Sequence, residues 1–209
     1  MSDLGRRRFL SLGGMTVLSA AVAGCSGGHR GGGGPASTTS TTGVPDPSAD
    51  VRILRTASSL EHYMVGVYME AAGLNLLQST MALDLLKLFA DHHSQHAAAF
   101  EGATARIGGQ PFTQANPVLS RMAATRISAL RTENDVLRLA LEMENIAAAT
   151  YFSATGGLAI RPVNATMTGV GAVEARHAAV LASILGDAPP YHADGFAGTD
   201  GALSPGVGV

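Results

Sequence analysis

The chain has 209 residues, enough for one or two domains, and 46% hydrophobic against 14% charged residues suits a well-buried core under a bland surface. Formal net charge is −2, and from Cys25 onward no basic patch remains, which argues against a nucleic-acid partner. The single Cys excludes an internal disulfide.

At the start, Arg6-Arg7-Arg8-Phe9-Leu10 precedes an apolar run from Leu12 to Ala23, which ends in Val22-Ala23-Gly24-Cys25. The run is short for a membrane span and contains Gly13 and Gly14. This stretch resembles a twin-arginine export signal followed by a bacterial lipoprotein processing site. The resemblance implies a signal peptide over 1–24 and a lipid on Cys25, which becomes the mature N-terminus. It implies a protein exported after folding and held by that lipid at the outer face of the bacterial cell membrane. The other reading is an ordinary membrane anchor with a buried Cys. Residues 25–50 are rich in Gly, Ser, Thr and Pro and have almost nothing apolar to bury, so they predict a disordered tether. As a flexible coil it would span roughly 28 Å.

The first helix is expected from about Val51 to Ser79, with Ile53, Leu60, Met64, Val67, Leu74 and Leu77 as its apolar stripe. Glu61 and Tyr68 fall on or beside that stripe. A carboxylate there needs a partner, because burying a bare charge is costly. Ser79-Thr80 supplies a turn and a cap. The second helix is expected from about Met81 to Ile107. Its buried face runs through Leu85, Leu86, Phe89, His96 and Phe100, with His92 and His93 between. His92 and His96 are four apart and His93 and His96 three apart, so either pair can reach one metal ion. Gly108-Gly109 and Pro111 stop the helix. Residues 108–132 read as a connection long enough to cross a bundle end to end, with a short helix opening at Asn116-Pro117.

The third main helix is expected from about Thr132 to Thr155, with an acidic first turn and Val136, Leu137, Leu141, Ile146 and Ala148 as its apolar positions. Glu142 and Glu144 lie together. Glu144 is seven before Tyr151, as Glu61 is seven before Tyr68, which favours Glu144 as the inward carboxylate. Pro162 opens the fourth, from about Val163 to Leu185, with Met167, Val170, Val173, His177, Val180, Leu181 and Ile184 as core and Glu174 beside them. Residues 188–209 read as a flexible Gly-rich tail.

At about 1.5 Å per residue, Glu61 and His93–His96 stand at similar depth either side of the first turn. Glu144 and Glu174-Ala-Arg-His177 do the same in the second hairpin. Each hairpin thus sets a carboxylate opposite a ligand pair, and two facing hairpins bring six side chains to one point.

Over residues 51–187 the chain resembles the ferritin-like family of di-iron or di-manganese carboxylate bundles. That family sets a Glu from each of two helices against a Glu-x-x-His from each of the other two. The resemblance implies an all-α four-helix bundle made of two hairpins with a long crossover connection. It implies metal ligands at Glu61, His93, His96, Glu144, Glu174 and His177, a dinuclear iron or manganese site, and oxygen, peroxide or iron chemistry. Position 93 departs: the family has Glu there. A carboxylate can bridge two ions, whereas a neutral imidazole offers one lone pair. Three carboxylates against two divalent ions leave about one positive charge. A single ion in a nitrogen-rich set is therefore also open, and the ligand types suit zinc as well. Tyr63, Tyr68 and Tyr151 are either relays at the site or core rings with satisfied tips. A homo-oligomer is compatible with this reading, and no protein partner is indicated. The alternative is a non-enzymatic envelope lipoprotein with one structural metal or none.

Overall fold

The computed structural model describes residues 47–187 and 199–209, so the expected signal peptide, Cys25 and most of the tether lie outside the described residues. The described residues form five helices and no strands: α1 (Pro47–Gly73), α2 (Thr80–Arg106), α3 (Pro117–Ala129), α4 (Glu133–Thr155) and α5 (Arg161–Leu185). None of them is long and apolar enough to cross a membrane.

The four long helices form the expected bundle. α1 packs with α2 and α4 with α5 as hairpins, and the hairpins meet through α1 against α4 and α2 against α5. Local chemistry sets the ends. Ser79 caps α2 by accepting from the Ala82 amide at 3.3 Å. Thr132 and Asp135 form a reciprocal capping box on α4. Gly186 closes α5 in the left-handed conformation. The N-terminus of α5 has no side-chain cap of its own; Asp50, fully buried on α1, accepts from the Ala159 and Ile160 amides at 3.0 and 2.9 Å instead.

The connection after α2 starts where Gly109 lies against Val51, at the beginning of α1. It ends where Glu133 accepts from the Gln78 and Ser79 amides in the α1–α2 turn. The segment between therefore travels the length of the bundle, with α3 lying on α1. Asn116 pins it. Its amide nitrogen donates to Ser59 Oγ and to the Val207 carbonyl, both at 2.9 Å, while its Oδ1 accepts from Val118 and Leu119.

Several expectations need correction. α1 begins at Pro47, so residues 47–50 are helix rather than tether. It ends at Gly73 rather than Ser79, because Asn75 takes φ +56 and turns the chain. Leu74 is consequently exposed. On α4 the core is built by Val136, Leu137, Leu139, Ala140, Met143 and Ala147, and Leu141, Ile146 and Ala148 are half-buried. On α5, Val180 and Ile184 face outward. The tail over 199–209 is docked, not loose. Leu203 and Gly206 donate to the hydroxyls of Thr150 and Thr56 at 3.0 and 2.8 Å, Leu203 packs against the core, and Leu203 and Pro205 line one small cavity with Ile53, Ala57 and Met167.

Candidate metal centre

Each of the four long helices sends ionisable side chains to one level of the interior. Glu61, His93, Glu144 and Glu174 are fully buried, and His96 and His177 keep 12% and 5% of their side-chain surface. The wet edge of the cluster is therefore the α2–α5 seam. All six residues expected from the sequence are brought together.

The two carboxylates on α1 and α4 are held crosswise. Tyr68 of α1 donates to Glu144 of α4, and Tyr151 of α4 donates to Glu61 of α1. The equal seven-residue spacing and the antiparallel run of the two helices produce this exchange. Burial, then the neighbouring carboxylates, push both phenols well above their ordinary pKa, so both remain O–H donors.

His93 stands in the middle. Its Nδ1 lies 2.8 Å from Glu61 and its Nε2 3.1 Å from Glu144. His177 Nδ1 lies 3.3 Å from Glu144 and 3.1 Å from Glu174. His96 Nδ1 lies 2.7 Å from Glu174 Oε1. Burial alone would lower the histidine pKa values, but the carboxylates outweigh it. His93 is pushed well above its ordinary value by Glu144 and Glu61, His96 up to about 9 by Glu174 and Glu61, and His177 upward by Glu144 and Glu174. Burial alone would raise the three acids. The histidines nonetheless hold Glu61 and Glu144 below the ordinary range, whereas burial and the charge of Glu61 leave Glu174 raised.

The donors fit a metal. They fall into two overlapping groups, Glu61–His93–His96–Glu174 and His93–Glu144–Glu174–His177, with the ligand atoms of each within 4.8 Å of one another. His96 Nδ1 and Glu174 Oε1 give a sharper test. They form a 2.7 Å ion pair, yet both are buried and neither has a partner in hydrogen-bond geometry. Buried polar atoms are almost always bonded. Two that meet as an ion pair without hydrogen-bond geometry keep lone pairs free for a cation. Nitrogen and carboxylate donors suit iron, manganese or zinc by type.

The remaining candidates separate. Glu142 is exposed and paired with Arg126 of α3. Burial pushes the Tyr63 phenol up, and the charges it feels are those of Arg126 and Glu142, so it belongs to that pair's surroundings. Between His92 and His93, His93 occupies the centre, while His92 is half-buried at the seam with its Nδ1 3.0 Å from His177 Nε2. That contact was not expected; one step around α2 decides it. Asp50 is a buried acid the sequence reading passed over, and it serves α5 rather than the cluster.

A family model described as the ferritin-like domain matches residues 49–187. No curated protein matches the chain.

Proposed function

The chain belongs to the ferritin-like domain family, and from that premise we propose that its buried Glu/His cluster is a redox-active centre for two iron or manganese ions. The observation that carries this is the convergence of six donors from four helices, with the ion-paired His96 Nδ1 and Glu174 Oε1 lacking hydrogen-bond geometry. When bound, such ions supply oxygen or peroxide chemistry. The chain's own groups do the rest. Tyr68 and Tyr151 fix the single carboxylates by their hydroxyls. The greasy surroundings exclude bulk water, and the α2–α5 seam is the side from which a small reactant would arrive. The motifs at the N-terminus support export, with the bundle held at a membrane through a lipid on Cys25.

One observation favours a second reading, a structural bundle that needs no metal. Three histidines already pair with three carboxylates inside the cluster, so its charges can balance by protonation. Metal content and the visible spectrum under oxygen separate the two. Two redox metals per chain with an oxygen-dependent visible band are expected. One zinc per chain, or none with melting indifferent to chelator, would leave only the structural bundle.

A further inference from the structure

We propose that His92 orients His177 for metal binding: its Nδ1 accepts a hydrogen bond from His177 Nε2–H, which leaves Nδ1 of His177 as the ligand atom. The proposal rests on the reading of the cluster as a metal centre.

His177 presents Nδ1 to Glu144 and Glu174, on the side where the other donors converge. Its Nε2 points away and meets His92 Nδ1 at 3.0 Å. A neutral imidazole has one N–H and one lone pair. For Nδ1 to bind a cation, the proton must sit on Nε2, and a partner for that proton fixes the tautomer. Among the described residues His92 is the partner in place.

The ring geometry suits that role. The two imidazoles are inclined by 8° with centroids 5.2 Å apart. That separation exceeds the N···N distance by about a ring's width, so the rings meet edge to edge, as an in-line N–H···N bond requires. Phe89 lies over the face of His177 at 3.8 Å and 20°. Phe89 therefore sets the plane of the ring, and His92 its rotation within that plane. Phe89, His92, His93 and His96 all come from two turns of α2, so one helix supplies the clamp, the orienting group and two of the donors. His92 acts through His177 and is a positioning residue; among the described residues it pairs with none of the cluster's carboxylates.

The test uses the full chain with labelled histidine ring nitrogens. In the metal-free protein a through-bond coupling between His177 Nε2 and His92 Nδ1 is expected. In titrations with Co(II) followed by visible absorption, His92→Ala should weaken binding about 10- to 100-fold. His92→Asn, whose Oδ1 accepts near the same point, should recover most of that loss. An Ala variant that binds Co(II) as tightly as the wild type, or an Asn variant as weak as Ala, would overturn the proposal. If the wild type takes up no Co(II), the metal-centre reading falls. The coupling then decides the His92–His177 bond by itself, and its absence overturns that bond too.

Discussion

At position 93 an imidazole touches two carboxylates from different hairpins, one with each nitrogen. A protonated ring there donates both ways, whereas a metal-binding ring must give up one of those bonds. His93→Glu tests the trade. The variant adds a fourth acid and removes a positive charge, so its metal-free form should lose about 3–5 kcal/mol, as breaking a buried pair does. Mn(II) should more than restore the lost stability, because the new carboxylate can bridge. Melting curves with and without Mn(II) read both effects, and a variant indifferent to Mn(II) contradicts the dinuclear reading. Glu174→Ala and His177→Ala should sharply lower metal content, while Glu142→Ala should not, since Glu142 lies outside with Arg126. Elemental analysis of the purified variants decides it, and equal losses in all three would count against the cluster. The six donors were legible because a three-residue spacing and equal depth from a turn are properties of the chain itself. The phenol partners were not. Glu61 and Tyr68 stand seven apart in the sequence, but which acid each Tyr reaches depends on how α1 and α4 run past each other. Whether His92 or His93 faces the centre stayed open for a similar reason: a one-position rotation of α2 separates a centre residue from a rim residue.

Among the elements, the helix starts were the most readable, because Ser79, Asn116-Pro117, Thr132 and Pro162 act through their immediate neighbours. The end of α1 was not. Leu74, Leu76 and Leu77 continue an apolar pattern, and only the left-handed Asn75 shows that the chain turns there. The docked tail was also invisible, since its Gly-rich composition suggests looseness. Its anchors are hydroxyls and an amide from α1, α4 and the connection before α3. Among these, Asn116 joins three segments: Ser59, the start of α3 and Val207. Asn116→Ala should therefore cost about 2–3 kcal/mol, summing a lost cap and lost buried bonds. Urea unfolding measures the cost, and protease sensitivity should rise first in the tail. A loss under half a kcal/mol would mean the tail adds little.

For the molecule as a whole, the cluster ties stability to pH. In the metal-free protein His96 titrates near 9 instead of its ordinary 6.5, with His93, His177 and Glu174 also raised. A raised group stabilises the fold fully below its ordinary pKa and loses that contribution as pH climbs through the folded value. Glu61 and Glu144, both depressed from 4.5, act in the opposite sense and lose theirs as pH falls through their folded values. The metal-free thermal midpoint should therefore fall between pH 6.5 and 9. Metal-loaded protein should show little of that slope, because the ion replaces the protons. Parallel slopes in the two forms would mean that the ion binds elsewhere.

The crossed phenols carry this further. Tyr68 and Tyr151 each fasten an acid belonging to the opposite hairpin, and both donor groups draw on both hairpins. Neither half of the molecule owns a finished centre. The join between them is a rivet line: whatever empties the middle also slackens the seam, and whatever pries the seam apart spills the middle.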